Sequence, residues 1–265
     1  MGRTIVTTSH KPDPESQVLA VEAANSLNSR LVERERKSLD QLRAEHGAEN
    51  VLVVNRKQLV LHTPQGEYFF HPSMSIPRIK AIKQGKPDHM VAAMALRPGY
   101  RVLDCTMGLG SDAIVAAFAV GPDGDVTGIE AAQELAFIVA KGLAEYRGGS
   151  AAGVEAMRRI RVICGNYLEV LRQQPDDSFD VVYFDPMFRV PRYRSSSMQP
   201  VRGIVSNDAL SEPAVLEALR VARCRVVLKE NEFSGEFARL GFKTVIGGKY
   251  SPVAFGIMEK REAGQ

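Results

Sequence analysis

The stretch Asp104-Cys105-Thr106-Met107-Gly108-Leu109-Gly110-Ser111-Asp112-Ala113 follows the apolar run Tyr100-Arg101-Val102-Leu103 and precedes the apolar segment Ile114 to Val120. It reads as strand, glycine turn, helix start. Such a turn places backbone N–H groups and a free helix N-terminus at the carboxyl edge of a sheet, where ligands of nucleotide size bind in open α/β folds. Gly108 and Gly110 suit it, because a residue without Cβ allows both the turn's dihedrals and close approach of a ligand to the backbone.

Gly108 to Ala113 also satisfies the G-x-G-x-x-A dinucleotide pattern. Asp104 separates the two readings. An acidic side chain at that place can accept from the ammonium group of S-adenosylmethionine, whereas it would repel a diphosphate.

Downstream, strands at 100–105, 126–130, 160–164 and 179–184 alternate with helical patterns at 109–120, 132–146 and 166–173. After an irregular segment come a strand at 225–229 and a last pair near 242–247 and 253–259. Strands alternating with helices predict a parallel sheet covered on both faces. The last pair, joined through Gly247-Gly248-Lys249-Tyr250-Ser251-Pro252, is too tightly connected for a crossover helix and is therefore antiparallel. A Rossmann-like, mostly parallel seven-stranded sheet ending in an antiparallel hairpin is the class I methyltransferase architecture, expected here over residues 99–265.

Upstream, residues 1–70 read as a small α/β domain and 71–98 as a helical connector. The pattern predicts a strand at 3–8, then a helix at 15–31 with Val18, Val21, Ala24 and Leu27 as its buried stripe. Ser38 and Gln41 resemble a capping box for a second helix ending near Gly47, and three short strands follow at 51–54, 58–62 and 67–70. Arg78, Lys80, Lys83 and Lys86 stand against Asp88 alone, which suits either a phosphate-contacting face or a solvated helix face.

Composition narrows the class further. A hydrophobic fraction of 45% fits a packed globular chain, and a net charge of +3 permits a nucleic-acid partner without requiring one. Cys105, Cys164 and Cys224 are too scattered for a disulfide framework or a zinc site and are expected as buried free thiols. Neither a signal-peptide core nor an apolar run of membrane-spanning length is present, so the expectation is a cytoplasmic protein with no metal and no membrane partner.

Three further places carry chemistry. Glu130 ends the second strand, where a carboxylate can take both ribose hydroxyls of an adenosine. Asn166 and Tyr167 end the third, placed for the adenine amino group and ring; Asp112 at the helix start either caps it or contacts the methionine end. The fourth strand ends in Asp185-Pro186-Met187-Phe188, the Asp-Pro-x-aromatic turn with which amino-group methyltransferases hold an exocyclic NH2. Asp185 and the carbonyl beside Pro186 would accept its protons while Phe188 stacks on the base. Arg189, Arg192 and Arg194, in the basic loop that follows, are the candidate contacts to a nucleic-acid substrate.

These residues resemble the RsmJ-like methyltransferases, whose characterised members modify the exocyclic N2 of a guanine in 16S ribosomal RNA. The likeness runs through Asp104 to Ala113, Val182 to Phe188 and Arg225 to Lys229, within roughly residues 58–258. Ser111 stands where arginine is usual, and Asn166-Tyr167 where small hydroxyl residues are. The resemblance implies S-adenosyl-L-methionine as cofactor, held by Ser111, Asp112, Glu130, Ala131, Asn166, Tyr167 and Asp185 with the turn of Asp104, Gly108 and Gly110. It also implies small-subunit ribosomal RNA as partner. Methylation of another amino group, in adenine N6 or a small molecule, a non-catalytic cofactor- or RNA-binding module, and a nicotinamide-dependent oxidoreductase are the alternatives.

Overall fold

The computed structural model describes residues 3–186, 209–248 and 251–260. Two compact units divide them. One comprises the chain up to His71 with Ala132–Gly142; the other holds Pro72–Ala131 and the described residues from Leu143 onward.

The first unit carries β1 (Thr4–Thr8), α1 (Pro14–Ser26), β2 (Arg30–Leu31), α2 (Leu39–His46), β3 (Asn50–Val54), β4 (Leu59–Thr63) and β5 (Gly66–Tyr68), its sheet running β2-β1-β3-β4-β5. Asp13 caps α1 by accepting from the Ser16 N–H at 2.8 Å, with Pro14 in the first helical turn. The helix stops at Ser26, short of the expected residue 31. Asn28 enters the left-handed region at φ 45°, the Ser29 N–H returns to the Ala24 carbonyl, and Arg30–Leu31 become a strand instead.

The expected stripe of α1 is also half wrong. Val18 is 70% exposed and Val21 48%, while Ser16, Ala20, Ala23 and Ala24 are buried. The helix presents its smallest side chains to the sheet, a choice hydrophobicity alone does not reveal. The capping box of Ser38 and Gln41 is present, and Gly47 ends α2 in the left-handed conformation.

The second unit orders α3 (Ser75–Lys83), α4 (His89–Met94), β6 (Arg101–Asp104), α5 (Ser111–Val120), β7 (Asp125–Glu130), α6 (Gln133–Glu145, its first ten residues in the other unit), α7 (Ala151–Arg158), β8 (Ile160–Cys164) and α8 (Tyr167–Gln173). It continues with β9 (Phe179–Phe184), α9 (Glu212–Val221), β10 (Ala222–Asn231), α10 (Glu236–Arg239), β11 (Thr244–Gly247) and β12 (Val253–Glu259). The seven-stranded sheet runs β11-β12-β10-β9-β6-β7-β8, parallel except where β12 pairs antiparallel with β10 and β11. That is the expected mostly parallel sheet with its closing hairpin.

The helices α7 and α9 were not expected. Ser150 and Ser211 cap them, accepting from the N–H groups of Gly153 and Ala214. Cys105 is buried as expected, but Cys164 is exposed, because β8 is an edge strand, and Cys224 is only partly covered.

Alternation along the strands divides the core. Leu103, Val182, Phe184, Val226 and Leu228 join one buried cluster with Val215 and Ala218 of α9. Tyr183 and Lys229 therefore point to the opposite face, which α5 covers. Gly128 in β7 makes room there for Met107, the residue just before the glycine turn. A Cβ on Gly128 would stand 2.3 Å from the Met107 sulfur and 2.8 Å from its Cγ. Gly128→Ala is expected to cost about 1–3 kcal/mol of stability through overpacking. Thermal melting should show a drop of several degrees, and an unchanged melting temperature would refute the packing account.

Candidate active site

The chain leaves β6 at the point where strand order reverses, with β7 and β8 on one side and β9 and β10 on the other. Ligands of α/β sheets bind in the crevice at such a switch point. Here the turn is stitched to both neighbours, the Cys105 N–H to the Tyr183 carbonyl and the Met107 N–H to the Ile129 carbonyl, each at 2.9 Å. The Asp185 N–H donates to the Thr106 hydroxyl at 2.5 Å, which ties the fourth-strand motif to the first.

A chain of charges crosses the same face. Lys229 at the end of β10 donates to Asp185 Oδ2 at 2.7 Å and to Asp112 Oδ2 at 2.9 Å. The Tyr183 hydroxyl donates to Asp112 Oδ2 at 2.7 Å, and Arg78 of α3 pairs with Asp112 Oδ1. Arg78 in turn grips both oxygens of Asp88 at 2.7 and 2.9 Å, while Asp88 caps α4 through the N–H groups of Met90 and Val91.

The carboxyls respond differently to this setting. Burial raises Asp185 to about 6, with Lys229 pulling it down and Asp112 pushing it up. Burial would raise Asp112 too, but the charges of Lys229 and Arg78 outweigh it and hold that carboxyl well below the usual range. Asp104 is 2% exposed; burial lifts it well above its ordinary value, the Asp112 anion adds to this, and the Thr106 N–H at 3.1 Å opposes them only in part.

On the other flank, Glu130 ends β7 buried, and its Oε2 accepts from the Gly108 N–H at 3.0 Å. Gly108 and Gly110 take φ 52° and 77°, conformations that suit glycine. Among the described residues, a Cβ on Gly108 would meet nothing nearer than the Thr106 carbonyl at 3.9 Å, so they leave open space beside the turn. Ala131 follows Glu130, and Asn166 caps α8, its Oδ1 accepting from the Leu168 and Glu169 N–H groups. Tyr167 meets Phe184 edge-on at 5.8 Å.

Residues 36–250 match the family described as "Putative SAM-dependent methyltransferase". The chain belongs to this family. It is therefore an S-adenosylmethionine-dependent methyltransferase. It is 38% identical to the "Uncharacterized protein YpiP" of Bacillus subtilis (strain 168), across 91% of this chain and 94% of that one. It is 36% identical to "Ribosomal RNA small subunit methyltransferase J" of Pseudomonas syringae pv. syringae (strain B728a), across 55% of each chain. The methyltransferase thus spans about half the length of that second relative. In fold it resembles the SAM-dependent methyltransferase NGO1261 from Neisseria gonorrhoeae, with a TM-score of 0.63 at 17% identity, covering 97% of this chain and 96% of that one.

The site of the methyltransferase fits its cofactor. Open space at Gly108, a buried carboxylate at the end of β7 and an anionic surplus beside the turn suit an adenosine bearing a cationic sulfonium. The Asn166 carbonyl oxygen is engaged as the cap of α8. Among the described residues no three His, Cys, Asp or Glu side chains cluster as a metal site, and no helix is long and apolar enough to cross a membrane. Phe188, Arg189, Arg192 and Arg194 lie outside the described residues.

Two of the alternatives left open by the sequence fall. Asp112 does not cap α5, since Gly110 occupies the cap position without a side-chain bond and Asp112 is committed to Arg78, Lys229 and Tyr183. Arg78 belongs to no phosphate-contacting face, because its guanidinium is consumed by Asp88 and Asp112. Sequence reading missed Thr106, Tyr183 and Lys229. A lone cation ending the apolar run Val226-Val227-Leu228 was the available signal for the last.

Asp112 separates two cations. Its removal takes the shared anion from Lys229 and Arg78, each of which keeps one carboxylate, in Asp185 and Asp88, and Asp112→Ala is expected to cost about 1–3 kcal/mol, the scale of buried donors left unpaired. Denaturant unfolding should show the loss; a cost below about 1 kcal/mol, typical of exposed ion pairs, would refute the network as drawn.

Proposed function

We propose that this methyltransferase modifies the exocyclic N2 of a guanine in small-subunit ribosomal RNA. The observation that carries the reading is the Asp185-Pro186 turn at the end of β9, beside the glycine turn and braced by Lys229 and Thr106. A conjugated amine is a poor nucleophile. A carboxylate that accepts its protons favours the pyramidal nitrogen needed for attack, and holding the reactants in line can supply up to about 7–11 kcal/mol of the barrier. The bound cofactor supplies the methyl group and a good leaving group.

Ribosomal RNA is supported by the name of the second relative and by the resemblance that Asp104 to Ala113, Val182 to Phe188 and Arg225 to Lys229 carry in sequence. The outer face of α3 is consistent with an RNA partner. Lys80 and Lys83 are exposed beside a cleft of about 330 Å³ whose lining includes Ile76, Ile79 and Met157. Apolar walls with a basic rim suit an unstacked base and its phosphate. A second reading keeps the chemistry and changes the amine to adenine N6, because the turn accepts protons from any conjugated NH2.

Methyl transfer from labelled cofactor to RNA from a strain lacking this protein is expected to yield N2-methylguanosine in small-subunit RNA. Asp185→Ala should lower the rate at least ~100-fold, the usual scale for losing a proton acceptor. Heat protection by the cofactor should persist in that variant, worth about 2.7 kcal/mol at a hundredfold excess over Kd. Label recovered as N6-methyladenosine would establish the second reading instead. Separately, Lys80→Glu with Lys83→Glu should weaken RNA binding and reduce the slope of log K against log salt by about 1 to 2. An unchanged slope would remove α3 from the RNA contact.

A further inference from the structure

We propose that Lys229 is the residue that positions the Asp185 carboxylate for methyl transfer, keeping it an ionised acceptor through an ammonium that Asp112 and Arg78 fix from behind. The identity of the acceptor amine rests on the proposed function; the arrangement of Lys229 does not.

Register explains why this lysine is there. β10 runs parallel to β9 with Leu228 opposite Phe184, so the next residues, Lys229 and Asp185, stand side by side on the α5 face. The ammonium makes bonds of 2.7 and 2.9 Å to two carboxylates. One of these is itself held by the Tyr183 hydroxyl and Arg78, and Arg78 by Asp88. An incidental surface pair would pivot on two flexible side chains. Here α3, α5, β9 and β10 each contribute a group, which fixes the cation before any substrate arrives.

The charges facing Asp185 show what the cation does. Asp112 comes from α5, Asp104 from β6, the Tyr183 hydroxyl from β9 and Lys229 from β10. Asp112 and burial both push Asp185 toward its neutral form, which would offer a proton where the reaction needs an acceptor. Among the described residues, Lys229 is the cation that counters them. It occupies Oδ2, and a carboxylate has a second oxygen with which to receive the amine.

In the transfer, the amine's lone pair forms the N–C bond as the C–S bond breaks with its electron pair left on sulfur. The surplus proton on nitrogen passes to the Asp185 carboxylate and then to water. Lys229 gives up no proton in this sequence. It acts through Asp185 and is a positioning residue.

The test compares wild type with Lys229→Met, Lys229→Arg and Asp112→Asn by two readouts. The first is the titration of the Asp185 carboxyl carbon by NMR in the ligand-free protein. Lys229→Met should raise its midpoint and Asp112→Asn lower it, each by about 1 unit or more, while Lys229→Arg stays close to wild type. A purely structural role has no reason to give opposite signs.

The second readout is kcat against pH, with cofactor affinity measured separately. In Lys229→Met, kcat at pH 7 should fall with the ionised fraction of Asp185, about twofold for a midpoint raised one unit from about 6 and ~100-fold for three units, without weaker cofactor binding, and recover as pH rises. Midpoints unmoved in Lys229→Met or Asp112→Asn, or kcat falling only together with cofactor affinity, would overturn the proposal. Should Lys229→Met fail to fold, the NMR midpoints of the other two variants decide: a fall in Asp112→Asn with little change in Lys229→Arg supports the proposal, and an unmoved midpoint in Asp112→Asn overturns it. If wild type methylates no RNA while the midpoints move in opposite directions, the acceptor assignment fails and the role of Lys229 stands.

Discussion

Asp112 is the anion around which the site is assembled. It sits in the first turn of α5 with little solvent contact, where burial alone would favour its neutral form. Two cations reverse that preference, and a carboxylate held ionised in a low-dielectric setting binds its partners strongly. Those partners come from distant parts of the chain: Arg78 from α3, Tyr183 from β9 and Lys229 from β10. One side chain therefore couples the helix before the sheet to strands β9 and β10. Its position near the N-terminus of α5 adds a favourable dipole, though capping is left to Gly110.

Backbone geometry does the remaining positioning. The turn after β6 would be mobile if it depended on its own residues. Instead Cys105 bonds to β9, Met107 to β7, and Gly108 to the Glu130 side chain. Thr106 receives the Asp185 N–H, so the residue after β9 is fixed by the loop after β6. The two motifs, far apart in sequence, are thus parts of one hydrogen-bonded edge. Groups arranged this way need little reorganisation when charge moves in the reaction.

Much of this was legible because its signals are local. Strand, glycine turn and helix are encoded by neighbours from Asp104 to Val120, and the closing hairpin by the shortness of its connection. Ser38 with Gln41 shows a cap directly in the sequence. The caps of α7 and α9, Ser150 and Ser211, were equally local, but the segments after them were not recognised as helical. Val18 and Val21 misled because close packing in α1 favours alanine and serine over the more hydrophobic side chain. In the site, the residues at strand ends could be named because parallel sheets collect function there. The ionic chain could not. Arg78 looked like one cation among lysines because Asp112, which consumes it, lies on another element, and Lys229 acquires meaning only from its register beside Asp185.

Charge balance links the network to turnover. Burial and its neighbours push Asp104 toward the neutral form, leaving Asp88, Asp112 and Asp185 against Arg78 and Lys229 once Asp185 is ionised. Among the described residues of this ionic chain, Glu130 on the other flank not counted, three anions against two cations leave one negative charge. S-adenosylmethionine, with sulfonium, ammonium and carboxylate, carries one net positive charge, while its demethylated thioether carries none. A site with this surplus holds the methylated form more strongly, because the difference in Coulomb energy is enlarged where solvent is scarce. Neutralising Asp112 abolishes this surplus, whereas removing Lys229 leaves it unchanged once Asp185 takes up a proton, so the two substitutions act on different properties of the site.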